Sequence, residues 1–122
     1  MSYTTFGYSD LKLSKPKLVG NESLEVSFTL TNTGKVAGEE VAQLYLQDKV
    51  ASMARPVKEL KDFRKVMLKP GESKTITFTV DKNKLSFYNQ NLEWVAEPGD
   101  FKLMIGTASD NIKLSSDFEL GQ

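Results

Sequence analysis

The sequence contains no cysteine and no histidine among its 122 residues. Their absence excludes disulfide bridges, thiol nucleophiles, zinc sites built from cysteine and histidine, and every catalytic triad that uses histidine. Net charge is also lacking, because 16 basic and 16 acidic side chains cancel. The lysines are scattered and form no basic stripe with interleaved aromatic residues, so nucleic acid is not an expected partner.

Long apolar runs and targeting signals are absent as well. No stretch approaches the roughly eighteen apolar residues of a transmembrane helix, and MSYTTFGYSD at the start lacks the segments of a targeting peptide. We therefore expect no membrane partner. The chain is long enough for one domain, and its abrupt start in polar and aromatic residues suggests a piece of a longer polypeptide.

What the sequence does contain is a repeated alternation of apolar and polar residues. In LEVSFTLTN every second residue is apolar, which is the pattern of a half-buried strand. The pattern returns in VAQLYLQ, TITFTV, FKLMIG and IKLSSDFEL, with turn-forming residues between the runs. The predicted core residues are Leu24, Val26, Phe28, Leu30, Ala42, Leu44, Leu46, Ile76, Phe78, Val80, Phe101, Leu103, Ile105, Ile112, Leu114, Phe118 and Leu120.

Short strands, frequent turns and no helix-period segment predict an all-β fold, an antiparallel sandwich of about seven strands. Two sheets would share one core. In VAQLYLQ, Val41 and Tyr45 add apolar character to the second face. We expect that strand to be covered on both sides.

Acidic side chains are the remaining candidates for catalysis, since glycoside hydrolysis formally requires a pair of carboxylates. They lie next to lysines or turns, so we interpret them as solvated surface, and a general acid would also need a desolvated pocket. Asp81 and Asn83 alternate as calcium ligands do, but the glycine and downstream glutamate of a calcium loop are missing. We predict no catalytic residue, no metal site and no cofactor.

The single tryptophan, Trp94, falls in phase with Leu92 and Ala96 in NLEWVAEPG, which favours burial in the core. The alternative is a sugar-stacking or interdomain platform, which Phe87 and Tyr88 would extend. Both interpretations stay open at this point.

Four long segments carry a resemblance: SYTTFGYSDLKLS, VSFTLTNTGKVAGEEVAQLYLQD, RPVKELKDFRKVMLKPGESKTITFTV and WVAEPGDFKLMIGTASDNIKL. In this order they resemble the fibronectin type III-like domain that closes many family 3 glycoside hydrolases, the group of β-glucosidases and β-xylosidases. The resemblance implies an immunoglobulin/fibronectin type III-like sandwich over residues 11–122 and a lead-in segment over residues 1–10 that continues from a preceding domain.

The resemblance also implies a function. It is that of a non-catalytic C-terminal accessory domain, which stabilises the parent hydrolase and has the parent's catalytic domains as its partner. Because the catalytic carboxylates of such enzymes belong to those other domains, no catalytic residue is assigned to this chain. Two positions depart from the family pattern: Asp62 stands where glycine is common, which would strain it if φ is positive there, and Arg64 stands where an acidic residue is frequent.

The segment ARPVKEL reads as an ordered connection, because Pro56 fixes φ and removes a hydrogen-bond donor. We expect its charged residues to point outward, while Val57 and Leu60 pack inward, which suits docking on a neighbouring domain. An edge strand protected by its lysines is the alternative. Together with aromatic residues near the N-terminus, the predicted docking surface consists of Tyr3, Phe6, Arg55, Pro56, Val57, Lys58 and Glu59.

Two other functions compete with the accessory role. A carbohydrate-binding module would stack Trp94, Tyr88 or Phe87 on a sugar, and it predicts a response of the single tryptophan to oligosaccharides. A free-standing immunoglobulin-like interaction domain shares the architecture alone, and architecture does not determine function.

Overall fold

The computed structural model describes residues 4–49, 58–88 and 91–121, and for residues 87 and 88 it describes the backbone alone. Most of this part of the chain lies in strands of eight or more residues. These are β1 (Phe6–Leu13), β3 (Ser23–Asn32), β4 (Gly38–Asp48), β5 (Glu59–Leu68), β6 (Ser73–Asp81), β9 (Gly99–Ala108) and β10 (Asn111–Leu120). The shorter elements are β2 (Lys17–Leu18), β7 (Phe87–Tyr88), β8 (Trp94–Val95) and a 3-10 helix (Lys82–Leu85).

The long strands form two sheets that enclose one core. A three-stranded antiparallel sheet has the order β1-β3-β6. A five-stranded sheet has the order β2-β10-β9-β4-β5, antiparallel except for the short β2–β10 pair. β7 and β8 pair with each other in a separate hairpin. The all-β architecture confirms the predicted sandwich of about seven strands.

The core follows from the alternation of apolar residues along each strand. β3 and β6 pair so that Phe28 lies opposite Ile76, and the Phe28 and Phe78 rings stack with their centroids 6.3 Å apart. Full burial of such a side chain contributes about 1.5–3 kcal/mol. Fifteen predicted core residues are buried: Leu24, Val26, Phe28, Leu30, Ala42, Leu44, Leu46, Ile76, Phe78, Val80, Phe101, Leu103, Ile105, Phe118 and Leu120.

The start of β10 departs from the prediction. Ile112 and Leu114, both predicted for the core, are half-buried. The pairing with β9 shifts register on each side of Ile112, and such irregularities bend a strand and turn its side chains away from a regular face. Only the second half of β10 therefore contributes fully buried residues.

β4 is covered on both sides, as its composition predicts. Its inner residues belong to the core, and Tyr45 on the outer face is 7% exposed. Met104 of β9 lies directly opposite Tyr45 on that outer face and is 5% exposed. The five-stranded sheet thus has buried apolar residues on part of its outer side, at Tyr45 and Met104, as well as on its core side.

The predicted domain boundary at residue 10 falls inside β1. Phe6 lies opposite Asn32 of β3, and the pairing continues to Ser9 before a register shift that ends at Lys12. Asp10, inside this irregular stretch, has φ of +56°. Residues 6–10 are therefore a strand of the sandwich and not only a lead-in to it.

Candidate docking and sugar-binding surfaces

The prediction that Trp94 is a core residue is wrong. Its side chain is 49% exposed, and that of Leu92 is 81% exposed, while Ala96 alone of the three packs against the core. Trp94 lies in a two-residue strand that pairs with β7 and not with either sheet of the sandwich. Leu92 has φ of +60°, which interrupts the extended geometry that alternation requires.

The half-exposed Trp94 ring is held in place by a hydrogen bond. Its Nε1 donates to Oδ1 of Asn83 over 3.0 Å, which ties the β7–β8 hairpin to the 3-10 helix. The backbone of Tyr88 lies opposite Trp94 across the hairpin. The side chains of Phe87 and Tyr88 lie outside the described part of the structure, so the three-ring sugar platform stays a prediction.

Asp81 and Asn83, the residues with calcium-like spacing, have structural contacts. Oδ1 of Asp81 accepts a hydrogen bond from the backbone N–H of Lys84 over 3.0 Å and so caps the 3-10 helix. Asn83 accepts from Trp94. Within residues 4–49, 58–88 and 91–121, no cluster of acidic side chains could hold a metal ion, and no helix is long and apolar enough to cross a membrane.

Three residues of the predicted docking surface are described, and they do not form one surface. Phe6 begins β1 and packs against the core at the end of the sandwich where Asn32 reaches the carbonyl of Leu68. Lys58 and Glu59 lie at the opposite end of β5. The remaining predicted residues, Tyr3, Arg55, Pro56 and Val57, lie outside the described residues.

Lys58 and Glu59 have partners within the chain. Nζ of Lys58 donates to the backbone carbonyl of Ser109 over 2.6 Å, which joins the start of β5 to the β9–β10 turn. Glu59 forms an exposed ion pair with Lys61 at 3.3 Å. Both contacts lie on the surface, where an ion pair contributes at most about 1 kcal/mol.

The prediction that Leu60 packs inward is also wrong, since its side chain is 51% exposed. Tyr45 of β4 lies opposite Leu60, whereas the preceding residue, Leu44, lies opposite Asp62. Lys61 is therefore an extra residue, and a bulge of this kind reverses the side-chain phase of the strand. Leu60 consequently joins Tyr45 on the outer face.

An apolar strip on β5 was not predicted from the sequence. Phe63 is 57% and Met67 is 63% exposed, and with Leu60 they face outward, because their partners on β4 are the outward residues Gln43, Glu39 and Tyr45. We call Leu60, Phe63 and Met67 the β5 apolar face. The signal is present in ELKDFRKVML, where Phe63 and Met67 are out of phase with the buried Val66 and Leu68.

The two departures from the family pattern lie on the inner side of β5 and contact the three-stranded side of the sandwich. Nη2 of Arg64 donates to the carbonyl of Thr77 over 3.1 Å, and its guanidinium lies 5.7 Å from the Phe78 ring centroid. Asp62 pairs with Lys84 at 3.6 Å. Among the described residues, positive φ outside glycine occurs at Asp10 and Leu92, so Asp62 carries no such strain.

Comparison with known protein families decides the classification. Residues 40–109 match the family model described as a fibronectin type III-like domain. The chain belongs to this family. The matched range begins in β4 and ends in the β9–β10 turn, so it includes β5 with its apolar face and the β7–β8 hairpin.

The relatives of this fibronectin type III-like domain are much longer proteins. It is 50% identical to "Periplasmic beta-glucosidase" of Salmonella typhimurium over 98% of this chain, which is 16% of the relative. It is 46% identical to "Thermostable beta-glucosidase B" of Acetivibrio thermocellus over 93% of this chain and 15% of the relative. The crystal structure of the Listeria innocua β-glucosidase in complex with glucose matches with a TM-score of 0.87 and 45% identity, over 100% of this chain and 17% of that one.

These matches confirm the resemblance to the fibronectin type III-like domain of family 3 glycoside hydrolases. The domain spans about a sixth of the length of the relatives that it matches.

Proposed function

We propose that this domain is a non-catalytic C-terminal accessory domain of a glycoside hydrolase of the β-glucosidase type, and that it stabilises the parent by docking on its catalytic domains. The observation that carries the proposal is the end-to-end similarity to a short segment of proteins named β-glucosidases. A domain used in this way contributes a folded surface and not a reaction centre.

The contacts of its carboxylates support a role outside catalysis. Glu59 and Asp62 are engaged with lysines on the surface, and Asp81 caps a helix. Glycoside hydrolysis needs two carboxyl groups on either side of a sugar-binding cleft, about 5 to 9.5 Å apart. A stable sandwich that buries one core between two sheets suits the supporting role better.

Two measurements test the proposed function. The isolated chain is assayed with chromogenic β-glucosides and β-xylosides, and no turnover above the buffer rate is expected. The Salmonella relative is then compared with two derivatives, one that lacks the matching segment and one in which this chain replaces it. We expect the truncated enzyme to unfold at a lower temperature or to aggregate, and the chimaera to recover most of the lost stability, because docking buries surface on both partners.

Turnover by the isolated chain would contradict the non-catalytic role. A truncated enzyme as stable as the full one, or a chimaera no better than the truncated enzyme, would contradict the stabilising role.

A second candidate function is sugar binding, favoured by the half-exposed and hydrogen-bonded ring of Trp94. The same preparation of the isolated chain is titrated with gluco- and xylo-oligosaccharides while the fluorescence of Trp94, the single tryptophan, is recorded. The accessory role predicts no sugar-dependent change. A saturable shift, with binding heat that Trp94→Ala removes and Leu92→Ala retains, would instead establish a carbohydrate-binding module.

A further inference from the structure

We propose that the β5 apolar face is the surface through which this domain docks on the remainder of its hydrolase chain. The inference rests on the proposed function and specifies the contact surface for it. The first observation is exposure: Leu60, Phe63 and Met67 are 51%, 57% and 63% exposed on one side of one edge strand. Single exposed apolar side chains are ordinary, but three large ones on the same side of one strand favour an interaction surface.

The outer face of the sheet continues from the strip onto β4 and β9, where its apolar residues are largely covered. Leu60 lies opposite Tyr45, and Tyr45 lies opposite Met104 of β9, all on the outer face. Val41 lies on the same face opposite Lys65, which lies between Phe63 and Met67 along β5. Tyr45 and Met104 are themselves buried, at 7% and 5% exposed, so the accessible apolar side chains of this region are Leu60, Phe63 and Met67 on the β5 edge.

The opposite side of the sandwich differs in chemistry. The outward residues of β6 are Thr75, Thr77 and Thr79, all exposed, and they pair with the outward Glu25, Ser27 and Thr29 of β3. Hydroxyl groups and a carboxylate are well solvated, so this face suits contact with water. The contrast between these polar side chains and the exposed apolar side chains of β5 assigns docking to the β5 edge of the five-stranded sheet.

Charge and size favour the rest of a hydrolase chain as the occupant over a second copy of this domain. Lys65 is exposed near the middle of the strip, so a two-fold dimer centred there would bring two lysines together. A partner surface that is apolar and carries carboxylates opposite Lys65 would complement it. In the relatives, more than four fifths of the polypeptide lies outside the matched segment and is available to supply that surface.

Site-specific thiol labelling in the chimaera with the Salmonella relative tests the proposal. This chain has no cysteine, so a single introduced thiol is the only one in this part of the protein, and peptide mapping distinguishes it from others. The variants are Phe63→Cys and Met67→Cys on the β5 apolar face, with Thr75→Cys on the opposite sheet as the matched control. Each variant is labelled with a maleimide in the isolated chain and in the chimaera. The labelling of the isolated chain is repeated at low and at high protein concentration.

We expect thiols at positions 63 and 67 to react at least about tenfold more slowly in the chimaera than in the isolated chain, and the thiol at position 75 to change by less than about twofold. If the thiols at positions 63 and 67 are labelled as fast in a stable and active chimaera as in the isolated chain, the assignment of the face is overturned and the proposed function is left intact. Protection at position 75 instead would assign docking to the other sheet. Protection at 63 in the isolated chain at high concentration would identify a second copy as the occupant.

Melting temperatures separate folding from docking in this experiment. Because both side chains are more than half exposed, Phe63→Cys and Met67→Cys should leave the melting temperature of the isolated chain close to that of Thr75→Cys. A chimaera no more stable than the truncated relative would overturn the proposed function, and the docking proposal with it.

Discussion

At the scale of single residues, Asn32 is a buried polar side chain that joins three segments of the sandwich. It is fully buried at the end of β3, and its amide uses its whole hydrogen-bonding capacity. Oδ1 accepts from the Thr4 hydroxyl over 2.8 Å and from the Gly34 N–H over 2.9 Å. Nδ2 donates to the carbonyls of Val36 and Leu68 over 2.9 and 3.0 Å. One side chain thus joins the segment before β1, the β3–β4 turn and the end of β5.

Asn32→Ala should lower the free energy of unfolding by about 2–4 kcal/mol, because it leaves several polar groups around the site without partners. Urea unfolding of the isolated chain measures this, with Asn21→Ala as the control, since Asn21 lies exposed in the β2–β3 turn. The control should change stability by less than about 0.5 kcal/mol. Equal effects of the two substitutions would show that the network around Asn32 contributes little.

At the scale of secondary structure elements, the β9–β10 hairpin depends on a close approach of two backbones. Gly106 lies opposite Ile112, between the two register shifts of the pairing. A Cβ atom added at Gly106 would lie 2.4 Å from the carbonyl oxygen of Asn111, which is backbone and cannot rotate away. The bend that leaves Ile112 half-buried therefore requires glycine at this position.

Gly106→Ala should destabilise the chain by roughly 2 kcal/mol or more, because the hairpin must open or shift to remove the clash. Gly7→Ala in β1 is the matched control, since its added Cβ would approach only the side-chain methyl group of Thr33, at 3.3 Å. Urea unfolding gives the total effect, and amide hydrogen exchange should show the loss of protection concentrated in β9 and β10. A comparable loss of stability in Gly106→Ala and Gly7→Ala would contradict the backbone-clash explanation.

At the scale of the whole molecule, polar contacts join the two sheets at both sides of the core. On one side the Tyr8 hydroxyl of β1 donates to Oε2 of Glu40 on β4 over 3.0 Å, while its ring stacks on Phe28 with centroids 5.6 Å apart. On the other side Arg64 and Lys84 link β5 to the β6 region. Burial first, and then the Glu40 carboxylate, raise the pKa of the Tyr8 hydroxyl far above its usual range.

Stability should consequently fall as the pH rises above about 10, the ordinary tyrosine pKa, because Tyr8 stays protonated in the fold while the unfolded chain loses that proton. The contribution of the protonated Tyr8 hydroxyl to the free energy of unfolding is fully present below that pH and is lost as the pH rises above it. Urea unfolding between pH 8 and 11 should show a shallower decline for Tyr8→Phe than for the natural chain. Glu40→Gln should reduce the decline only in part, because burial is the larger cause of the raised pKa. Parallel curves for all three proteins would contradict this account.

The sequence by itself determined the fold class and most of the core, because period-two alternation needs only the local geometry of an extended backbone. Leu24 to Leu30 and Ile76 to Val80 follow that rule and are buried on alternate positions. The fibronectin type III-like resemblance is likewise a property of the sequence, and the family match confirms it.

Only the tertiary structure decided which apolar residues are covered and which are available for docking. Trp94 keeps the phase of a core residue but lies in a hairpin outside both sheets, and Leu60 changes face because Lys61 is an extra residue opposite β4. The β5 apolar face depends on the pairing of β5 with β4, which turns Leu60, Phe63 and Met67 to the outer side of the sheet. Strand partners, bulges and sheet edges depend on residues far apart in the chain, and for that physical reason local periodicity did not reveal them.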